Sequence, residues 1–230
     1  MFRHVPNLLT GFRLVLALVF FCMLAYFQYE GRGDPWFLNT AFFIYCVALF
    51  TDFLDGYLAR KWKVEGAFGR VVDPFVDKVL VLGSFIFFAG KNFIIPETVV
   101  PKAGSMVVKT LTGVAPGMVV LILARELLVT TFRGMGEAGG QAFGAALSGK
   151  LKMVVQSVTI LVVLVYVNYF AWIQKSIYMN AATWFRDVCI WGTIVITVYS
   201  GLDYVRRAVA MFRAEQRNAL PPGGASGAAV

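Results

Sequence analysis

The sequence predicts an all-α, polytopic membrane protein of six transmembrane helices with a short N-terminal amphipathic segment. Three observations carry this expectation. Hydrophobic residues make up 59% of the 230-residue chain and mean hydropathy is +0.71, too apolar for a soluble domain. The apolar stretches are about 20 residues long, enough for a helix to cross a hydrocarbon core of about 30 Å. Only 15% of residues are charged, so the charges describe the loops and span ends.

The first span covers residues 7–27, after the amphipathic start. Asn7 and Thr10 are good helix-capping types, and Arg13 alone interrupts the apolar run. The second covers 36–60 and is apolar until Asp52. The third covers 72–89, with Pro74 tolerable in a first turn. The fourth (113–133) follows a Pro-containing outer loop, Lys91 to Pro116, and carries Arg125 and Glu126. The fifth (150–172) opens on Lys150 and Lys152, after a Gly/Ala-rich link from Gly134 to Gly149. The sixth covers 181–212. Residues 1–213 read as one membrane domain. Residues 214–230, Pro/Gly/Ala-rich from Pro221 onward, read as a disordered tail.

Charge orients these spans. With six of them, the termini, the second-to-third loop and the fourth-to-fifth loop share a side. Of the 21 basic residues, only Arg32, Lys91, Lys102, Lys109, Lys175 and Arg186 fall on the other side. The positive-inside rule places the basic side in the cytoplasm. The expected location is a bacterial-type inner membrane with the functional face inward. A net charge of +8 on so apolar a chain fits anionic membrane lipids rather than nucleic acid. Trp36, Trp172 and Trp184 read as outer interface anchors and Trp62 as an inner one. Cys22, Cys46 and Cys189 stand singly in apolar runs and His4 is the only histidine. That excludes disulfide frameworks, zinc sites and haem and leaves oxygen-bound hard cations as the metal candidates. The N-terminus lacks the small-residue cleavage site of a signal peptide.

One stretch carries the chemistry: Asp52-x2-Asp55-Gly56-x2-Ala59-Arg60-x8-Gly69-x3-Asp73-x3-Asp77. Positions three and four apart share a helix face. Asp52, Asp55, Gly56 and Ala59 therefore line one stripe of the second span, and Asp73 and Asp77 one stripe of the third. A loop of about a dozen residues makes the two spans antiparallel neighbours. Facing stripes would gather four carboxylates at the inner membrane edge. Carboxylates there are costly unless compensated, which calls for a cation. Gly56 and Ala59 let a ligand approach the backbone, and Arg60 can reach a phosphate at the interface. From the residues alone, a salt-bridge cluster with Arg60, Arg70 and Lys78 and a cation pathway stand as alternatives. The first gains little stability from buried charge. The second would spread its carboxylates along the spans rather than cluster them.

This stretch is similar to the signature of the CDP-alcohol phosphotransferases, D-x2-D-G-x2-A-R-x8-G-x3-D-x3-D, with no departure. The resemblance implies a six-span fold, a homodimer and two divalent cations, Mg²⁺ or Mn²⁺. It implies that Asp52, Asp55, Asp73 and Asp77 ligate metal and that Asp77 doubles as general base. Gly56, Ala59, Arg60 and Gly69 would contact the cytidine diphosphate part of the donor. Pro6-Asn7-Leu8-Leu9-Thr10, with Arg13 one turn on, resembles the family's first-span motif beside the nucleotide and adds Asn7 and Thr10 to the donor site.

Three segments bear on the acceptor. Gly69-x3-Asp73-Pro74-x2-Asp77-Lys78, Ala124-Arg125-Glu126 with Arg133, and Gly149-Lys150-Leu151-Lys152 resemble the branch of the family that uses sn-glycerol 3-phosphate. The expected donor is CDP-diacylglycerol. A doubly charged phosphate suits a cationic pocket, and the candidates are Arg125, Arg133, Lys150 and Lys152. Each is also explained by positive-inside anchoring, although Arg125 lies within a span. Glu126 is expected to pair with a neighbouring base, and Asp203 to form a helix-end salt bridge. Another acceptor (phosphatidylglycerol, serine or inositol phosphate) and a divalent-cation transporter remain open at this point.

Overall fold

Six long helices carry the chain in the computed structural model, which describes residues 5–28, 34–62, 67–94, 110–138 and 147–219. They are α1 (Val5–Tyr26), α2 (Pro35–Trp62), α3 (Ala67–Phe88), α4 (Pro116–Ala138), α5 (Leu147–Asn168) and α7 (Met179–Ala219), with a four-residue α6 (Phe170–Ile173) before the last. No strand occurs among the described residues, only an isolated antiparallel bridge between Ile94 and Thr110. Each expected span corresponds to one long helix.

Among the described residues, four helices are long and apolar enough to cross a membrane: Leu8–Tyr26, Trp36–Leu54, Leu151–Asn168 and Met179–Ala210. α3 and α4 are of similar length. They carry Arg70, Asp73, Asp77 and Lys78, and Arg125, Glu126, Arg133 and Glu137, so their apolar windows are broken by the charges that make them interesting. The bundle's outer surface suits lipid. Leu18, Phe43, Phe50, Phe53 and Val195 are exposed, while Thr51, Gln156, Thr159, Thr193, Thr197 and Ser200 are buried. Polar groups inside and apolar ones outside is the arrangement that a hydrocarbon solvent favours. The protein is an integral membrane protein.

The helices close a ring in the order α1, α2, α5, α7, α4, α3 and back to α1, with α3 also reaching α5 across it. The expectation that α2 and α3 face each other directly is modified: α1 packs along both. Thr159 and Thr193 join α5 to α7 through a 2.8 Å hydroxyl contact. Small hydroxyl residues at such a seam replace bulk with hydrogen bonds.

Helix ends follow local chemistry. Asp34 Oδ1 accepts from Trp36 N at 3.0 Å, and Pro35 occupies the first turn of α2, where its missing N–H is not needed. Asn92 donates to the carbonyls of Leu24 and Ala25 at 3.2 and 3.1 Å, closing α1. Thr112 donates to Phe88 O at 2.6 Å, closing α3. Gly113 has φ of 74°, a conformation open to glycine, and a side chain there would also strike Arg186. Arg186 donates to Leu111 O at 2.7 Å and stacks 4.4 Å from the Tyr166 ring centroid. It pins the connection between α3 and α4 to α7.

Several boundaries move. α3 starts at Ala67, so Pro74 sits about two turns in rather than in the first turn. Pro74 cannot donate to the Arg70 carbonyl, four residues back, which marks a bend-prone point beside the site. α7 continues to Ala219, into the segment read as tail, and stops before Pro221. The amphipathic start merges with α1 from Val5 onward, and residues 1–4 and 220–230 lie outside the described residues.

Candidate functional site

α1, α2 and α3 meet at one guanidinium. Arg13 Nη1 lies 2.7 Å from Asp52 Oδ1 and 2.9 Å from Asp77 Oδ1. Arg13 is 1% exposed, whereas the side chains of Asp52 and Asp77 are 39% and 25% exposed. The cation is therefore the buried partner and the carboxylates line the open side. This cationic centre on α1 was not visible from the spacing of the aspartates. Arg13 lies 64 positions from Asp77, and only the packing of α1 on α2 and α3 brings them together. Thr10, one turn before Arg13, is fully buried.

The rest of the motif is placed through its backbone. Asp55, Gly56, Ala59 and Arg60 are helical in α2, and Gly69 and Asp73 are helical in α3. The side chains of Asp55, Ala59, Arg60, Asp73 and Asn7 lie outside the described ones. At Gly56 an added Cβ would meet nothing within 4 Å, so α2 borders open space there, as a backbone-contacting ligand requires. Among the described residues no group of three or more metal-ligating side chains forms. The pair that is described suits a cation nonetheless. Two carboxylate oxygens from different helices converge on one positively charged nitrogen, and an all-oxygen donor set selects hard cations such as Mg²⁺ or Mn²⁺.

A second cluster lies on the other face of α3. Lys78 donates to Thr130 Oγ1 on α4, and Thr130 in turn donates to Glu126 O at 2.7 Å. Glu126, 8% exposed, pairs with Lys152 of α5 and, at 3.2 Å, with Arg125. Arg125 also donates to Ser200 of α7 and lies 5.5 Å from the Tyr204 ring centroid. Gly201 makes room for it, since a Cβ there would sit 3.2 Å from Arg125 Cγ. α4 and α7 thus seat one arginine through an ion pair, a hydroxyl and an aromatic face, and Lys152 of α5 shares its carboxylate. Arg133 is exposed at the end of α4 and within electrostatic reach of Lys78. Lys150 lies in the first turn of α5, its side chain outside the described ones.

Glu126 pairs with basic neighbours, as expected. Asp203 pairs with Arg207 at 3.2 Å, one turn on; because α7 continues to Ala219, this bridge lies within the helix and not, as expected, at its end. Lys78, Thr130, Ser200 and Tyr204 were not recognised as parts of the basic cluster. The signal for Lys78 was available: adjacent helix residues point about 100° apart, so a residue after Asp77 must face a different neighbour.

The sequence profile of the family described as CDP-alcohol phosphatidyltransferase matches residues 3–199. Among curated proteins, the chain is 27% identical to a CDP-diacylglycerol–glycerol-3-phosphate 3-phosphatidyltransferase of Cereibacter sphaeroides, across 92% of this chain and 98% of that one. It is 28% identical to the protein of that name from Bacillus subtilis (87% and 93% covered). It is 29% identical to the one from Escherichia coli (90% and 96% covered).

Proposed function

The chain belongs to the CDP-alcohol phosphatidyltransferase family, and we propose that it transfers the phosphatidyl group of CDP-diacylglycerol to sn-glycerol 3-phosphate, giving phosphatidylglycerophosphate and CMP. The observation that carries the chemistry is the convergence of Asp52 and Asp77, both partly exposed, from two helices. The names of the full-length relatives support the choice of donor and acceptor.

In this mechanism the donor nucleotide lies over α2 and α3, against Gly56, Ala59 and Gly69, with Asn7, Thr10 and Arg60 around it. Its acyl chains remain between helices in the inner leaflet. Asp52, Asp55, Asp73 and Asp77 would hold one or two divalent cations, Mg²⁺ or Mn²⁺. When bound, such cations neutralise diphosphate charge as the bond to CMP breaks. Asp77 accepts the proton of the primary hydroxyl of sn-glycerol 3-phosphate. That oxygen forms a bond to the lipid-side phosphorus, and the bond from this phosphorus to the CMP oxygen breaks. Arg125, with Arg133, Lys150, Lys152 and Lys78, holds the acceptor phosphate. Lys78 and Asp77 are adjacent, so acceptor anchoring and proton removal sit side by side. A neutral or zwitterionic acceptor would leave most of this positive charge unbalanced, since Glu126 is the one carboxylate paired with it among the described residues.

The six helices all span the inner membrane, the site faces the cytoplasm and the protein is a homodimer surrounded by anionic lipid. The clustering of basic residues on the site's side of the chain supports that orientation. In a cysteine-free background, a cysteine replacing Lys61 should label only from the inside and one replacing Ile177 only from the outside. The reverse pattern would refute the orientation. For the activity, purified protein given CDP-diacylglycerol and labelled sn-glycerol 3-phosphate should move label into the organic phase. Label that stays aqueous would refute the assignment.

A further inference from the structure

The carboxylates that converge at the inner edge already share a cation from within the chain. Arg13 Nη1 is within hydrogen-bond distance of one oxygen of Asp52 and one of Asp77, and the guanidinium is almost fully enclosed. A divalent ion ligated by Asp52 and Asp77 would need oxygens on the same carboxylates and would bring two positive charges to within a few ångströms of a third. Like charges so close repel strongly, most of all away from bulk water. A carboxylate oxygen that donates electron density to a guanidinium N–H is also a poorer metal ligand.

We propose that Arg13 is a resident counter-cation of the metal centre: it gathers Asp52 and Asp77 and competes with the divalent ion for them. This rests on the metal-assisted reading above. Arg13 is then a positioning residue that sets how tightly metal is held. The carboxylates are carried by α2 and α3, each packed independently on α1, so their approach does not depend on Arg13 alone. Removing the charge should therefore strengthen metal binding rather than abolish it. Ordinary ligand-orienting partners do the opposite, since their loss weakens metal affinity.

The test is Mn²⁺ titration of the purified, chelator-stripped full-length protein, read by the electron paramagnetic resonance of free Mn²⁺. This measures affinity without turnover. Arg13→Gln removes the charge, and its Kd for Mn²⁺ should fall about tenfold or more below that of the unaltered protein. Arg13→Lys keeps a charge but replaces the planar fork with a point donor on a different stem. Its Kd should lie between the two, about threefold below the unaltered protein. If Arg13→Gln does not fold, Arg13→Lys decides the matter. An unchanged or higher Kd in the folded variants would overturn the competition while leaving the metal centre intact. Failure of the unaltered protein to bind Mn²⁺ at all would overturn both the metal centre and the role of Arg13.

Discussion

Asp77 and Lys78 are neighbours in sequence and face different helices: Asp77 accepts a hydrogen bond from Arg13 of α1 at 2.9 Å, whereas Lys78 donates to Thr130 of α4. A rotation of about 100° between adjacent residues of α3 therefore separates a carboxylate compartment from a basic one. The proposed proton acceptor sits at the border between them.

Substitutions at these two positions should separate kinetically. Asp77→Asn should lower kcat by about 10²–10⁴ while the protein still folds, because Arg13 keeps its contact with Asp52. Lys78→Met should instead raise the KM for sn-glycerol 3-phosphate, with a much smaller effect on kcat. Steady-state CMP release by each variant checks both. Near-normal turnover in Asp77→Asn would remove it as the base.

Arg125 provides the test of the acceptor. It is seated by Glu126, Ser200 and Tyr204, so its head group is oriented rather than free. Arg125→Glu should raise the KM for sn-glycerol 3-phosphate by about tenfold or more, the scale of a lost charge-assisted hydrogen bond. The affinity for CDP-diacylglycerol should change little. An unchanged acceptor KM would place the phosphate elsewhere.

Glu126 and Lys152 form a pair buried to 8% and 3% exposure. Removing one partner leaves a buried charge without its counterpart. Glu126→Gln should therefore destabilise the protein by about 3–5 kcal/mol. Glu126→Gln combined with Lys152→Met should recover much of that loss, and a double-mutant cycle on reversible unfolding measures the coupling. Purely additive effects would show that the pair is not coupled.

Gly83 is a packing requirement on α3. A Cβ there would clash with the Cζ edge of the Phe21 ring on α1. That ring is stacked on Phe87 at 5.6 Å between centroids and cannot swing away freely. Gly83→Ala should cost about 1–3 kcal/mol, read as a lowered Tm, and Phe21→Leu in the same chain should relieve part of it.

The apolar helices and the placing of Asp52 on α2 and Asp77 on α3 were legible in the sequence because both are local. Apolar length fixes the spans, and spacings of three and four fix a helix face. Pro74 was misplaced within α3 because proline often marks a helix start, and here the helix runs through it from Ala67. The direct facing of α2 and α3 was inferred from their short connection, which limits separation but cannot show a third helix packed on both. What this hid is the partner of Arg13. The first-span motif sets Arg13 beside the nucleotide, but its contacts with Asp52 and Asp77, the latter across 64 positions, follow only from the packing of α1. Ser200 and Tyr204 were missed for the same reason, since they matter only through the approach of α7 to α4. The side chains of Asp55, Asp73 and Arg60 lie outside the described ones, so their part rests on the motif and the helical backbone.

The decisive measurement is CMP release from CDP-diacylglycerol by the purified protein in Mg²⁺ or Mn²⁺, with one candidate acceptor alcohol at a time and with EDTA as control. Release that requires sn-glycerol 3-phosphate and stops with EDTA is the expected result. Release only with another alcohol would contradict the acceptor assignment, and release that persists in EDTA would contradict the metal-assisted site.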